Sequence, residues 1–190
     1  MKRLGLGLTA VILGSWFLGR ADAGGFPTSI EKEIGAMTVK LALTGTAVRK
    51  KGIFAVYSVA SYLLEGAKVR SAEELAGADV PKQLHLVMIR SVSGQEMGST
   101  FLAVFRQNHP EPAFKEEAQT LADLLRASTA QRGDNIFITH VPKVGLHCRR
   151  AGGEEILIKN VDFSKAVWDN YFGKRSISED VKRGLTSRLR

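Results

Sequence analysis

Apolar and polar residues alternate along residues 37–44, a pattern typical of a strand with one buried face. Residues 53–64 are apolar on both faces, which predicts a central strand that is covered on both sides. A short basic turn joins the two strands. Arg49 comes just before this turn, and Tyr57 lies in the second strand. The pair is therefore expected at the centre of the fold, with Arg49 near the mouth of any space that the layers enclose.

Helix and strand signals then alternate along the chain. Residues 71–74 and 93–96 each read Ser-x-x-Glu, the capping box that starts a helix. The second helix carries Met97, Phe101 and Val104 on one apolar stripe. Residues 24–35 are expected as an edge segment, strands over residues 83–92, 135–141, 145–150 and 154–160, and helices over residues 113–130, 162–172 and 178–190. This order favours one α+β domain with a mainly antiparallel sheet and helices on one face.

The N-terminus has the composition of a secretory signal peptide. Residues 1–3 are basic, residues 4–19 are apolar and uncharged, and residues 21–23 read Ala-Asp-Ala. Together they predict cleavage after Ala23. The alternative is an uncleaved membrane anchor, for which the apolar run is slightly short. The prediction is a secreted protein with the periplasm as its compartment, and one domain over residues 24–190.

Charge and cysteine content narrow the classes of partner. The formal net charge is +8 for the whole chain and +6 without residues 1–23, which suits acidic ligands and peripheral contact with an anionic membrane surface. The basic residues are scattered, without the long basic run and interleaved aromatics that would indicate nucleic acid. Cys148 is the single cysteine, so an intramolecular disulfide and a cysteine-rich metal site are excluded. A buried apolar role for Cys148 is favoured over pairing with another chain.

No standard catalytic signature occurs in the sequence. The histidines lack the spacing of metal ligands. His140 and His147 flank one predicted hairpin and could face each other, but no third ligand accompanies them. Neither a metal nor a cofactor is predicted.

Arg49 and Tyr57 are the residues whose chemistry suits a ligand. A guanidinium at the rim of an apolar cavity binds a carboxylate through two parallel hydrogen bonds, and a neighbouring phenol donates a third. The alternative is a solvated turn arginine and a core tyrosine. The spacing of the residues leaves both open and by itself favours the second.

Residues 45–65 resemble the arginine turn and long strand of chalcone isomerase-like domains. Similar segments follow in the family's order at residues 72–75, 83–96, 162–173 and 178–189. The resemblance covers most of residues 26–189 and is strongest to the bacterial secreted branch. It implies an open-faced β-sandwich, a large antiparallel sheet with a layer of helices, and a ligand between the two.

The resemblance also bears on catalysis. The plant enzymes close a flavanone ring by intramolecular Michael addition, using an Arg, two Thr, a Tyr and an Asn. Arg49 matches the Arg, whereas Tyr57, Met97, Val104 and Asn170 stand where the family has Thr, Tyr, Asn and Thr. Met97 cannot donate a hydrogen bond to a developing enolate, and losing one such donor costs roughly 10² to 10³ in rate.

Non-catalytic plant relatives bind fatty acids and hold the carboxylate with the matching Arg and a Tyr. The resemblance therefore implies a binding site in which Arg49 and Tyr57 hold a small amphipathic acid such as a fatty acid. Met97, Phe101 and Val104 would line the tail, and Asn170 would contact the ligand elsewhere. Two alternatives stay open: an isomerase or intramolecular lyase acting on another substrate, and an interaction protein whose cleft is filled by side chains.

Overall fold

Seven strands form one sheet in the computed structural model, which describes residues 25–35, 37–150 and 153–189. The sheet follows chain order, and every neighbouring pair is antiparallel. The predicted signal peptide, residues 1–23, lies outside the described residues. The strands are β1 (Ser29–Ile34), β2 (Met37–Lys51), β3 (Phe54–Leu64), β4 (Lys82–Met88), β5 (Asn135–Val141), β6 (Gly145–Arg150) and β7 (Glu155–Ile158). The helices are α1 (Ala72–Gly77), α2 (Gly94–Asn108), α3 (Lys115–Arg126), α4 (Val161–Phe172) and α5 (Glu179–Leu185).

The order of elements matches the prediction, but three elements end at least four residues earlier than predicted. α5 ends at Leu185 and not at residue 190, and the Arg188 amide donates to the Thr44 carbonyl of β2. The other two ends differ for one shared reason. β4 ends at Met88 and not at residue 92, and α3 ends at Arg126 and not at residue 130. Val92 and Ala130 instead pair in an isolated bridge, with two backbone hydrogen bonds of 2.9 Å. This long-range pairing draws both segments out of their regular elements.

The main core lies between the sheet and the helices, and a smaller apolar cluster covers the other face of β2 and β3. This cluster consists of Phe26, Leu41, Leu43, Ala60 and Tyr62. The segment before β1 closes it, because the Tyr62 hydroxyl donates to the Pro27 carbonyl at 3.0 Å. The central strand is thus covered on both faces, by helices on one side and by the segment before β1 on the other.

Helix α5 rests directly on the backbone of β2. A Cβ atom at Gly184 would lie 2.6 Å from the Thr46 carbonyl oxygen, so only a glycine permits this approach. The Thr44 hydroxyl donates to the Leu185 carbonyl at 2.8 Å, and the Arg188 amide donates to the Thr44 carbonyl at 2.9 Å. The closing helix therefore fixes the strand that carries Arg49.

A buried polar cluster ties α1 to the sheet. The ammonium of Lys82 is buried and donates to the carbonyls of Leu75, Ala76 and Ala78 at 2.7, 2.7 and 2.9 Å. These carbonyls lie at the C-terminal end of α1, where backbone acceptors lack helical partners. Trp168 of α4 places its ring beneath the same ammonium, 5.1 Å away.

His140 and His147 do not face each other, so that expectation was wrong. Thr139 pairs with His147 and His140 pairs with Leu146, so the two imidazoles lie on opposite faces of the hairpin. Cys148 is fully buried in β6, and burial raises its pKa to about 12, in agreement with an apolar role. No helix in the described part of the chain has the length and apolar character needed to span a membrane.

Candidate functional site

An apolar cavity lies between the sheet and the helix layer. The space open to the centre of a water molecule is about 120 Å³, whereas one ordered water needs roughly 10–15 Å³ by the same kind of measure. A ligand of several heavy atoms therefore has room. The inner wall is formed by aliphatic side chains from β4, β5 and α3, among them Leu86, Met88, Leu121, Leu125, Ile136 and Ile138.

All six residues singled out in the sequence line this cavity. Arg49 comes from β2, Tyr57 from β3, and Asn170 from α4. Helix α2 contributes Met97, Phe101 and Val104. Their place in the cavity is a structural fact, and their contact with a ligand stays a prediction.

Local sequence explains why α2 presents this stripe. The Ser93 hydroxyl accepts a hydrogen bond from the Glu96 amide at 3.1 Å and so starts the helix at Gly94. From there the spacing of four and three residues keeps the apolar side chains on one face. Gly98 lies on another face, where a Cβ would come within 2.8 Å of the Ala122 carbonyl. The missing side chain lets α3 pack closely and complete the wall.

The charges at the mouth leave one guanidinium without a carboxylate partner. Lys51 and Arg90 both contact Glu96 Oε1, at 3.0 and 3.9 Å. Among the described residues, no carboxylate lies within ion-pair distance of Arg49, whose guanidinium donates to the Lys50 carbonyl. Lys51 is neutralised and Arg49 is not, so Arg49 is the cation placed to hold an anionic group.

The phenols of the half-buried Tyr57 and the buried Tyr171 lie next to Arg49. Burial raises the pKa of Tyr57 and raises that of Tyr171 well above its ordinary value, while the Arg49 charge opposes both shifts. The interaction between the two hydroxyls lowers the pKa of Tyr57 and raises that of Tyr171. Because burial raises both pKa values, both phenols stay protonated at neutral pH.

Tyr171 is a cavity residue that the sequence did not single out. Val167, Asn170 and Tyr171 all line the cavity. Their spacing of three and four residues puts them on one helix face. Once Asn170 was a candidate, this spacing was the signal that could have identified Tyr171.

Asn170 presents an unpaired acceptor to the cavity. The residue is 4% exposed, and its Oδ1 atom has no hydrogen-bond partner among the described residues. Leaving a buried acceptor unpaired costs about 1–3 kcal/mol. A donor on a ligand, or a water molecule, would relieve this cost.

A family model described as chalcone isomerase-like matches residues 27–186. The chain belongs to the chalcone isomerase-like family. Among solved structures, it is similar to a fatty-acid binding protein of Arabidopsis thaliana, with 16% identity and a TM-score of 0.63. The match covers 88% of this chain and 95% of the plant protein. The search of curated proteins gave no match. The α+β open-faced sandwich predicted from the sequence is confirmed.

A second set of polar residues in this chalcone isomerase-like domain resembles a hydrolase triad in composition only. His140 lies between Ser164 and Asp79, with Nδ1 to Oγ at 2.8 Å and Nε2 to Oδ1 at 2.9 Å. Ser164 is fully buried and lines neither the apolar cavity nor the polar depression beside His109 and Asp169. A nucleophile without access to substrate cannot act, so the arrangement is structural.

The described residues contain no group of three or more His, Cys, Asp or Glu side chains placed to hold a metal ion. The cavity combines an aliphatic interior with a few polar groups. These are the guanidinium of Arg49, the ammonium of Lys51, the carboxylate of Glu96, the hydroxyl of Thr100, the phenols of Tyr57 and Tyr171 and the amide of Asn170. Such a site holds an anionic group at one point and excludes water from an attached apolar group.

Proposed function

We propose that this chalcone isomerase-like protein binds a small amphipathic carboxylate, with a fatty acid as the best-fitting class, and does not catalyse a reaction. The observation that carries the proposal is the guanidinium of Arg49, which has no carboxylate partner among the described residues and lies at the rim of an apolar cavity. The fatty-acid binding of the Arabidopsis protein with the same fold supports it.

In the proposed complex, Arg49 holds the carboxylate through two parallel hydrogen bonds and Tyr57 donates a third. The chain extends past the α2 stripe towards the aliphatic wall. Each methylene that leaves water contributes about 0.8 kcal/mol, so affinity should rise with chain length until the cavity is full. Met97 suits such a tail because its flexible thioether adapts to irregular apolar shapes.

Replacing Arg49 is the direct test. We expect gently purified protein to release a fatty acid on denaturation, detected by mass spectrometry. In calorimetric titrations, Arg49→Ala should weaken binding of a fatty acid about ten- to a hundredfold, the loss of charge-assisted hydrogen bonds worth roughly 1.5–3 kcal/mol. Arg49→Lys should fall in between, because an ammonium cannot form the paired bonds.

Arg70→Ala is the matched control, because Arg70 is exposed and does not line the cavity. It removes the same charge and should leave the affinity unchanged. Equal affinities for wild type and Arg49→Ala would contradict the proposal, and so would the absence of any acid in the purified protein together with no rise in Tm on adding one.

A second candidate is an isomerase or intramolecular lyase, favoured by the protonated Tyr57 beside Arg49. In that case Arg49 polarises a carbonyl and Tyr57 donates a proton to the developing oxyanion. A ring-closure assay with a chalcone separates the two. Turnover that Tyr57→Phe abolishes while ligand affinity persists would favour the enzyme over the binding protein.

We also propose that the protein is exported, most simply to the periplasm. The basic residues 1–3, the uncharged apolar run 4–19 and the Ala-Asp-Ala sequence at residues 21–23 support this. Peripheral contact with an anionic membrane surface, which the net charge of +8 favours, stays a prediction at the level of composition.

A further inference from the structure

The tip of the β2–β3 hairpin carries a concentrated apolar surface. Ile53 is 87% exposed, Phe54 62% and Val48 44%. Only six large apolar side chains in the described part of the chain are exposed, and these three fall within seven consecutive positions. Clustered exposed apolar groups mark contact surfaces far more often than isolated ones do. Residues 48–54 are called the hairpin tip below.

The backbone makes this tip a narrow projection. Lys51 pairs with Phe54, so the two strands stay hydrogen-bonded up to the turn formed by Gly52 and Ile53. Gly52 has a φ of 60°, the left-handed conformation that glycine adopts most easily. All residues from 50 to 54 are exposed. Ile53, the most exposed of the large apolar side chains in the described residues, therefore lies at the end of a two-stranded ribbon.

Basic side chains lie on and beside the apolar tip. Lys50 and Lys51 lie on the tip itself. Arg90 is held beside it, because its amide donates to the Val56 carbonyl at 3.4 Å. Arg49 adds a further cation, and Glu96 is the acid that Lys51 and Arg90 contact. The sum is basic, which complements a surface of anionic lipid headgroups.

We propose that the hairpin tip docks on an anionic phospholipid bilayer, with Ile53 and Phe54 entering the headgroup region and the basic residues contacting lipid phosphates. An apolar wedge inside a basic ring is the combination that binds proteins peripherally to such membranes. Arg49, Lys51 and Glu96 also line the cavity, so docking brings its mouth to the lipid. The docking itself does not depend on the proposed function. The corollary that a ligand passes between the bilayer and the cavity does rest on it.

The test is vesicle co-sedimentation of the purified protein without added fatty acid. Vesicles of phosphatidylcholine mixed with phosphatidylglycerol should bind the wild type, and vesicles of phosphatidylcholine alone should bind it less. The double variant Ile53→Asp/Phe54→Asp should lose at least tenfold in partitioning. Met37→Asp is the matched control, because Met37 is 67% exposed at the opposite end of β2; it should bind as wild type does.

Two further measurements test the same contact. Phe54→Trp keeps an aromatic side chain and should retain binding, and its fluorescence should shift to shorter wavelength when anionic vesicles are added. Lys50→Glu removes a cation that does not line the cavity and should lower binding, as should added salt.

The experiments distinguish a failure of the docking proposal from a failure of the proposed binding function. Fatty-acid titration of Ile53→Asp/Phe54→Asp without vesicles should give wild-type affinity, since neither side chain lines the cavity. The docking proposal is overturned if the wild type does not bind anionic vesicles, or if the double variant binds them as well as the wild type does. It is also overturned if sedimentation velocity shows that the wild type forms a concentration-dependent dimer and the double variant does not. The tip would then contact a second copy of the chain.

Discussion

At the scale of single residues, His140 is the side chain whose burial sets a pH dependence. Burial lowers its pKa to about 4, with Lys82 and Lys165 adding to the shift and Asp79 opposing it. The neutral ring suits its site, because Nε2–H donates to Asp79 while Nδ1 accepts from the Ser164 hydroxyl. Protonation of Nδ1 removes that acceptor inside a closed core.

The folded pKa of His140 is below the unfolded value, so acid destabilises the fold. In the window from pH 6.5 down to about 4, the unfolded chain binds a proton that the folded chain does not. The free energy of unfolding should fall by on the order of 3 kcal/mol across this window, at about 1.4 kcal/mol per pH unit. Urea titrations at several pH values measure the slope. His140→Gln should flatten it and the surface variant His147→Gln should not; an unchanged slope in His140→Gln would refute the assignment.

At the scale of elements, the fold depends on how closely α5 approaches β2. Gly45 and Gly184 face each other across this contact, and backbone atoms of the opposite element occupy the space of either missing side chain. Backbone carbonyls cannot rotate away as a long side chain would. The position of the strand that carries Arg49 is therefore linked to a helix more than a hundred residues later in the chain.

Gly184→Ala tests this contact. The added methyl would lie 2.6 Å from the Thr46 carbonyl oxygen and 2.9 Å from the Ala47 Cβ, which forces the helix outwards. Overpacking of this kind costs about 1–3 kcal/mol, so we expect Tm to fall by roughly 5 °C in a thermal melt. Gly77→Ala is the control, because nothing lies within 4 Å of the added atom. An unchanged Tm for Gly184→Ala would show that α5 adjusts freely.

At the scale of the whole molecule, the described contacts all involve residues that follow the proposed cleavage site. Phe26 belongs to the smaller apolar cluster, and the Pro27 carbonyl accepts the hydrogen bond that closes it. Cleavage after Ala23 leaves both in place, so the mature chain keeps each described contact.

Intact mass and N-terminal sequencing of the protein from its native host should therefore find Gly24 as the first residue, in a periplasmic fraction. Ala21→Arg/Ala23→Arg should block processing, because the cleavage site needs small residues. Full-length protein in the cytosol of the wild-type strain would contradict export.

Several features of this protein are determined by the sequence alone, because they depend on local periodicity. The alternation along residues 37–44 and the two capping boxes depend only on residues close together in sequence, whatever the tertiary fold. These local signals predicted the elements in the right order. The apolar stripe of Met97, Phe101 and Val104 was likewise predicted from the periodicity of an α-helix. Together with the family resemblance, this was enough to predict the fold and to name six residues that line one cavity.

Only the tertiary structure decided which of these residues act together and with what charge. Glu96 contacts Lys51, whereas Arg49 has no carboxylate partner in the described part of the chain. Tyr171 reaches Tyr57 from a helix over a hundred residues away. The bridge that ends β4 and α3 early is likewise a long-range pairing. Local propensity cannot encode such contacts, because each depends on the distance between groups that the chain brings together only once it has folded.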